Sequence, residues 1–233
     1  MAKTLVILAT YNEAANLEGL VREILVLADR PDVLVVDDNS PDGTGEVADR
    51  LAAESGRVQV IHRPCKLGLG TAVLAGLRWA MAHGYRYAIN LDADRSHDPQ
   101  VIPQLLAAME RCDVAIGSRY APGGRIENWS FARRLISRLV NAYARFVLRT
   151  GVRDSSGAFR CYDLGALRRV DLDAVRSEGF AFCEEMLVRC RRAGLRFAEL
   201  PMTFIDRRAG RSKAGLKEKV RSALALLAIL FRR

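Results

Sequence analysis

Short apolar runs typical of buried strands alternate with helix-like segments through the first half of the chain. This order is expected of a parallel sheet with helices on both faces. The alternation therefore predicts an α/β fold with a mostly parallel central sheet flanked by helices. The predicted strands span residues 3–9, 32–36, 57–61, 85–91 and 114–117, and the predicted helices span 14–27, 44–53, 68–82 and 99–110, with caps at Thr44 and Asp98.

The pattern is less regular beyond residue 118. The sequence predicts a loop at 121–129, a long helix at 132–148, short strands near 158–162 and 196–200, and a basic loop at 207–214. The last segment is apolar and helix-like, and neither an internal repeat nor a linker interrupts the chain. We therefore expect one domain over residues 1–215, followed by a C-terminal helical elaboration at 216–233 that could contact a membrane interface.

Charge is distributed unevenly. Residues 1–118 contain 11 Lys/Arg and 16 Asp/Glu, whereas residues 119–233 contain 25 and 11. An acidic half suits a cation and a basic half suits anionic partners, although a solvated surface would give the same counts. We do not expect nucleic acid as a partner, because no aromatic-interleaved strand motif, zinc finger or helix-turn-helix pattern is found.

The cysteines and the hydropathy pattern bear on the compartment. The five cysteines include no C-x-x-C pair, and the chain contains neither a secretion-signal pattern nor a run of about 18 uncharged apolar residues. These features favour reduced thiols in the cytosol.

Three polar groups follow predicted strands, at residues 11–13, 37–38 and 92–94. In such sheets ligands bind beyond the carboxyl ends of the strands. Asp92 and Asp94 stand at i and i+2, and on an extended chain both would project to one side. Two carboxylates so placed suit a hard cation such as Mg²⁺ or Mn²⁺. The alternative is an Asx turn that leads to the cap at Asp98.

The basic positions have two interpretations. Arg133 and Ser137 are four residues apart on one predicted helix face, and Arg207, Arg208, Arg211 and Lys213 crowd the late loop. Both groups could bind phosphate, or they could be solvated surface. The glycines of the KLGLG segment at 66–70 lack a dinucleotide fingerprint and favour close packing or close backbone approach.

Read in order, the motifs resemble those of the family-2 glycosyltransferases, and more narrowly the dolichol- or polyprenol-phosphate mannose synthases. The resemblance covers roughly residues 4–215 and implies the GT-A nucleotide-sugar fold. SPDGT, KLGLGTA and DR-x-x-G-x-SK are its most specific parts. The motifs are ATYNEAANL, VVDDNSPDGT, KLGLGTA, LDADRSHDP, GSRY, SSGAFRCY, EGFAFCEEM and DRRAGRSK.

The resemblance also implies site residues. The positions that match donor-binding residues are Ala9, Tyr11, Glu13, Val36, Asp38, Asp92, Ala93, Asp94, Arg119, Arg207 and Lys213. Asp92, Asp94 and Ser96 match the metal side, and Asp94 and Arg119 match catalytic positions. Arg133 and Ser137 match positions that meet the acceptor lipid's phosphate.

Three positions depart from the family pattern. Ala9 stands where proline is usual, and Cys183 stands where glutamine is common. Arg95 adds a positive charge inside the metal motif, so its side chain is expected to point away from the cation or towards a phosphate.

The implied activity is metal-dependent, inverting transfer of mannose from GDP-mannose to a polyprenyl phosphate. The enzyme is expected in the cytoplasm, peripheral on a membrane's cytoplasmic face. Alternatives are a related transferase that uses UDP-glucose or a soluble acceptor, a nucleotidyltransferase, and a non-catalytic nucleotide-sugar binder. A nucleotidyltransferase would have a Gly-rich triphosphate loop after the first strand, where this chain has Thr-Tyr-Asn-Glu.

Overall fold

The structure is a computed structural model that describes residues 3–179, 181–206 and 224–230. Its strands are β1 (Thr4–Thr10), β2 (Asp32–Asp37), β3 (Val58–His62), β4 (Tyr87–Asn90), β5 (Val114–Ser118), β6 (Arg125–Glu127), β7 (Arg160–Asp163), β8 (Phe197–Pro201) and β9 (Thr203–Ile205). The helices are α1 (Ala14–Leu25), α2 (Thr44–Glu54), α3 (Leu69–Ala82), α4 (Ile102–Ala108), α5 (Phe131–Phe146), α6 (Leu164–Leu167) and α7 (Phe182–Arg192), with short 3-10 turns at Pro99–Val101 and Leu172–Ala174.

The central sheet has seven strands in the order β3-β2-β1-β4-β7-β5-β8. The pairs among β1, β2, β3 and β4 are parallel, as is the pair of β5 with β8. This confirms the mostly parallel sheet predicted from the alternation. The exception is β7, which runs antiparallel to both of its neighbours, β4 and β5.

Alternate residues of the central strands pack into separate cores on the two faces of the sheet. In β1, Leu5 and Ile7 join the core formed with α3 and α7, whereas Val6 and Leu8 join the core formed with α1 and α4. Because both faces are covered by helices, the strand sequence is continuously apolar, as expected for a buried parallel sheet. The helical layers leave the carboxyl ends of the strands as the edge where polar loops gather.

Several local predictions differ from the structure. The predicted loop at 121–129 contains β6, which pairs with β9 in a separate two-stranded sheet.

Of the two predicted caps, Asp98 does cap the following turn, since its carboxylate accepts from the backbone N–H of Gln100 at 2.9 Å. Thr44 is not the cap of α2: the capping position is Gly43, in a left-handed conformation with φ 87°. Thr44 instead donates its hydroxyl to Asp42 at 2.5 Å.

The C-terminal part of the chain is described only at residues 224–230, which are helical. There Ile229 is buried against Ala144 of α5, Leu148 and Val188 of α7. This agrees with the predicted helical elaboration over the seven residues described, whereas 216–223 and 231–233 lie outside the description. Among the described residues, no helix combines the length and apolar character needed to cross a membrane.

Candidate active site

The ends of β1 and β2 are joined by side-chain and backbone hydrogen bonds. Thr10 donates its hydroxyl to Asp37 Oδ1 at 2.9 Å, and the N–H of Asp38 donates to Thr10 O at 3.0 Å. Beyond the strands, the N–H of Glu13 donates to Thr44 Oγ1 at 2.9 Å. The loops at 11–13 and 37–44 therefore form one surface, as expected for carboxyl ends of adjacent parallel strands.

Asp38 holds the loop that precedes α3. Its Oδ2 accepts from the N–H groups of Leu67 and Gly68, both at 3.1 Å, and its Oδ1 lies 3.0 Å from Arg63 Nη1. All of these contacts are internal to the protein. Asp38 thus organises the KLGLG loop, and its predicted contact with a nucleoside stays a prediction.

The glycines of this loop are required by close packing. Gly68 has φ 99°, and a Cβ at that position would lie 2.6 Å from the carbonyl oxygen of Glu178. A Cβ at Gly70 would lie 2.5 Å from the carbonyl oxygen of Ser177. These distances confirm the packing interpretation of the KLGLG segment.

The other donor-side positions differ in exposure. The Lys66 ammonium lies 4.4 Å from the centroid of the Tyr11 ring, at the mouth of the loop. Val36 is fully buried in the core, where it pairs in register with Ala9. A ligand would therefore meet Val36 through its backbone.

Asp92 and Asp94 lie in a turn after β4, because the strand ends at Asn90. The expectation of two carboxylates aligned on extended chain is therefore wrong. Asp94 Oδ1 accepts from the N–H of Ser96 at 3.0 Å, which is the Asx-turn geometry of the alternative interpretation. The turn places Ser96 against the Asp94 carboxylate.

Arg95 has a carboxylate partner of its own. Its backbone has φ 62°, and its guanidinium donates to Glu23 on α1. The positive charge of Arg95 is thus directed to Glu23 on α1.

His97 lies directly behind the motif. Its Nδ1 accepts from the N–H of Asp92 at 3.2 Å, and its ring stacks on Phe159 with centroids 5.3 Å apart. Burial lowers the pKa of His97 to about 4, so the ring is neutral at pH 7. Since Nδ1 accepts, the ring proton is assigned to Nε2.

The oxygen atoms of the motif suit a hard divalent cation. The Ser96 hydroxyl is buried and has no hydrogen-bond partner among the described residues. Carboxylate and hydroxyl oxygens are hard ligands that fit Mg²⁺ or Mn²⁺. No group of three His, Cys, Asp or Glu side chains that could hold a metal occurs in the described part of the chain. Further ligands would therefore come from a bound molecule, as phosphates commonly do for Mg²⁺.

Arg119 is held by a buried carboxylate that the sequence analysis did not single out. Asp154 accepts from Arg119 Nε at 2.8 Å and from Nη2 at 2.6 Å, and Ser156 accepts from Nη2 at 2.7 Å. Burial opposes both charges, yet the mutual hydrogen bonds raise the pKa of Arg119 and lower the pKa of Asp154. The pair fixes the Arg119 guanidinium in one orientation.

Arg133 and Ser137 lie one turn apart on α5 and join this site. Ser137 Oγ accepts from the Tyr120 hydroxyl at 2.8 Å. The Arg133 guanidinium lies 4.1 Å from the Trp129 ring centroid, and its Nη1 lies 2.5 Å from Asp206 Oδ2. The two predicted acceptor positions are therefore next to the GSRY segment that carries Arg119. Arg207 and Lys213, predicted on the donor side, lie outside the described residues.

A second buried charged group lies beneath Arg119 and Asp154. Arg160 donates to the carbonyl oxygens of Cys183 and Ser155, both at 2.6 Å. Burial raises the pKa of Glu184 to about 7, and its Oε2 has no hydrogen-bond partner within the described residues. Cys183, at the position where glutamine is common in the family, is a buried thiol. Its backbone carbonyl is the group that accepts from Arg160.

Comparison with known proteins identifies close relatives. The family model for glycosyl transferase family 2 matches residues 5–173 of this chain. An undecaprenyl-phosphate mannosyltransferase of Micrococcus luteus is 43% identical over 211 residues, which are 91% of this chain and 87% of the relative. A polyprenol monophosphomannose synthase of Mycolicibacterium smegmatis is 44% identical over 213 residues, which are 91% of this chain and 80% of the relative.

Solved structures share the fold at low sequence identity. Glucosyl-3-phosphoglycerate synthase from Mycobacterium tuberculosis, in complex with Mn²⁺, UDP-glucose and phosphoglyceric acid, superposes with a TM-score of 0.72 at 19% identity. The match covers 99% of this chain and 79% of that chain. The same enzyme with Mn²⁺, UDP and glucosyl-3-phosphoglycerate gives a TM-score of 0.70 at 20% identity. The expected GT-A architecture is thereby confirmed.

Proposed function

Because the chain belongs to glycosyl transferase family 2, we propose that it transfers mannose from GDP-mannose to a polyprenyl phosphate, with inversion at the sugar carbon. The observation that carries this proposal is the 43% identity to an undecaprenyl-phosphate mannosyltransferase across 91% of the chain. The polyprenol monophosphomannose synthase at 44% identity supports the same sugar and acceptor class. The product would be a polyprenyl phosphate mannose.

The donor diphosphate would bind at Asp92, Asp94 and Ser96, together with Mg²⁺ or Mn²⁺. A bound cation would offset the charge that develops on the departing nucleoside diphosphate. Asp94 is held by the Ser96 N–H and the Asp92 backbone by His97. Such outer contacts fix the orientation of metal-side groups before the ligand arrives. Crystals of the M. tuberculosis synthase with Mn²⁺ and UDP-glucose support a divalent ion in this fold.

The acceptor phosphate would bind between Arg133, Ser137 and the fixed charge of Arg119. A phosphate monoester has a second pKa of about 6 and is mostly dianionic at neutral pH. Its oxygen can therefore attack the sugar carbon without a strong general base. The chain's contribution is to align two anionic substrates and to stabilise their charge.

The remaining predictions belong to the same proposal. We propose a glycosyltransferase domain over 1–215 with a C-terminal helix at 216–233, and a peripheral position on the cytoplasmic face of a membrane. Relatives that act on polyprenyl phosphates support the membrane location.

A transfer assay with a short polyprenyl phosphate and radiolabelled donors tests the proposal. GDP-mannose with Mn²⁺ is expected to label the lipid, whereas UDP-glucose and metal-free buffer with EDTA are expected to give at most about a hundredth of that rate. Equal labelling from UDP-glucose would contradict the donor assignment. Undiminished labelling in EDTA would contradict the role given to the metal.

A further inference from the structure

Three polar side chains stand one turn apart along α5 and lead from the surface of the protein to its interior. Arg133 is exposed, Ser137 is half-buried and Asn141 is buried. Asn141 and Ala144 are the two buried residues of α5. Because a buried amide requires hydrogen-bond partners for both its oxygen and its nitrogen, the partners of Asn141 show what it holds in place.

The orientation of the Asn141 amide is fixed by backbone groups. Its Oδ1 accepts from the N–H of Ser155 at 2.6 Å and from the N–H of Ser156 at 3.3 Å. A backbone N–H can only donate, so the oxygen faces this loop and Nδ2 faces the other way. Nδ2 donates to Ser137 O at 2.9 Å and lies 3.5 Å from Ser137 Oγ. Asn141 therefore ties Ser137 to the loop at 155–156.

The same loop holds Arg119. Ser156 Oγ accepts from Arg119 Nη2 at 2.7 Å, and it also accepts from Asn141 Nδ2 at 3.3 Å. One hydroxyl thus joins the buried amide to the buried guanidinium. The position of Ser137 relative to Arg119 is set through this connection.

Tyr120 reaches Ser137 from the opposite direction. Its backbone is held by Ser118, whose buried Oγ accepts from the N–H groups of Tyr120 at 3.2 Å and Ala121 at 2.9 Å. Ser118 in turn donates its hydroxyl to Glu199 Oε1 on β8 at 2.8 Å. From this fixed backbone, the Tyr120 hydroxyl donates to Ser137 Oγ at 2.8 Å.

These contacts determine where the Ser137 proton can go. A serine hydroxyl has one proton to donate and two lone pairs that accept. Tyr120 and Asn141 both direct donors at the oxygen, and Ser137 donates its own proton to no group in the described part of the chain. The hydroxyl is therefore presented as a donor to a ligand. A dianionic phosphate has oxygens that only accept, which is the matching chemistry.

We propose that Tyr120 and Asn141 are positioning residues that present the Ser137 hydroxyl proton to the phosphate of the acceptor. Neither residue needs to touch the phosphate, because both act through Ser137. Asn141 also keeps Ser137 in register with Arg119, so the two phosphate-binding groups hold one spacing. This inference deepens the proposed function and rests on it for the identity of the phosphate.

Equilibrium binding tests the role of Tyr120 without any transfer. Calorimetry measures the Kd of the full chain for a short, water-soluble polyprenyl phosphate in the absence of donor. Ser137→Ala is expected to weaken binding about tenfold and Tyr120→Phe about threefold. In the double variant, Tyr120→Phe is expected to add nothing to the loss caused by Ser137→Ala, because the oxygen that it orients is already gone.

The matched control removes another tyrosine hydroxyl of the same region. Tyr143 lies on α5, and its hydroxyl is 3.5 Å from the carbonyl oxygen of Leu226 rather than near Ser137. Tyr143→Phe is expected to bind the phosphate as the wild type does. A loss equal to that of Tyr120→Phe would show that any such deletion disturbs the site, and it would overturn the proposal.

Asn141→Asp tests the other positioning residue. The variant keeps an oxygen for the N–H groups of Ser155 and Ser156 but replaces the Nδ2 donor by a second oxygen. Binding of the polyprenyl phosphate is expected to weaken about tenfold. Circular dichroism establishes whether this variant is folded. If it is not, the cycle of Tyr120→Phe with Ser137→Ala decides the proposal by itself.

The outcomes separate positioning from the proposed function. No loss in Tyr120→Phe, an equal loss with and without the Ser137 hydroxyl, or a wild type that does not bind the phosphate overturns the inference. Transfer from GDP-mannose to the same acceptor is measured separately, where Tyr120→Phe should raise the acceptor KM and leave the donor KM unchanged. Coupled losses in binding without any transfer would leave positioning standing and refute the proposed function.

Discussion

Arg119 and Asp154 form a buried, two-pronged ion pair that joins the end of β5 to the loop before β7. Arg119 Nε and Nη2 donate to the two oxygens of Asp154 at 2.8 and 2.6 Å, and the backbone N–H of Arg119 also donates to Asp154 at 2.8 Å. The antiparallel strand β7 brings the two residues together across 35 positions of sequence. Trp129 and Phe204 pack against the guanidinium, each ring centroid 5.5 Å away.

Asp154→Asn is expected to destabilise the protein by about 3–5 kcal/mol, because it leaves the buried charge of Arg119 without a carboxylate. The control is Asp173→Asn, whose pair with Arg78 is exposed on both side chains and should cost about 1 kcal/mol or less. Urea unfolding measures both free energies. Equal destabilisation by the two variants would contradict a special role for the Arg119 pair.

Glu184→Gln is expected to change how stability depends on pH. Burial raises the pKa of Glu184 from its usual 4.5 to about 7, so the folded state favours the neutral carboxyl. The wild type therefore loses stability as pH rises from about 4.5 through 7, and the glutamine variant escapes that loss. The difference in unfolding free energy should grow by roughly 2–3 kcal/mol between pH 5 and pH 8.

Glu185→Gln provides a control of opposite sign on the neighbouring residue. Although burial opposes its charge, hydrogen bonds from Ser177, Arg189 and Arg176 lower the pKa of Glu185. The folded state therefore favours its carboxylate, and this stability is present above about pH 4.5 and lost as pH falls. The variant should be less stable than the wild type at neutral pH and approach it in acid. Parallel pH profiles for the two variants would refute both assignments.

Substitutions at residues 94–96 are expected to separate the proposed metal ligands, Asp94 and Ser96, from their neighbour Arg95. Asp94→Asn should lower transfer by about 100-fold or more, and Ser96→Ala by roughly tenfold. Arg95→Gln should retain activity, because Arg95 pairs with Glu23 on α1. Rates are measured over a Mn²⁺ titration. Comparable losses in Arg95→Gln and Asp94→Asn would count against this assignment of the motif.

Arg133→Ala and Ser137→Ala are expected to raise the KM for the polyprenyl phosphate about tenfold and to leave the KM for GDP-mannose nearly unchanged. The control is Arg134→Ala on the same helix, whose guanidinium donates to the carbonyl oxygen of Ile126 at 3.1 Å. A short, soluble acceptor keeps membrane binding out of the measurement. A rise in the donor KM instead would place these residues on the other substrate.

The sequence predicted the parts of the fold and site that depend on local pattern. The apolar runs located β1, β2 and β3, and their shared direction predicted that residues 11–13 and 37–38 meet at one edge. Motif spacing also placed Arg133 beside Ser137. These relations follow from strand and helix periodicity, which short stretches of sequence reveal.

Relations between distant segments were not predictable in this way. Neither the antiparallel direction of β7 nor the pairing of β6 with β9 has a local signal. Asp154 was missed because its partner Arg119 is remote in sequence, although its position directly before the SSGAFRCY motif was a usable signal. Residues 92–94 were expected to be extended, but Asp94 lies in a turn. The turn is stabilised by the hydrogen bond that the Ser96 N–H donates to the Asp94 carboxylate.

Identification of the reaction product tests the central claim most directly. The full chain is incubated with GDP-α-mannose, Mn²⁺ and a short polyprenyl phosphate, and the lipid fraction is analysed by mass spectrometry and NMR. The account predicts one mannose per lipid phosphate, joined through a phosphate oxygen with β configuration at the sugar carbon. A lipid fraction that gains no mannose, or gains it with α configuration, would contradict it.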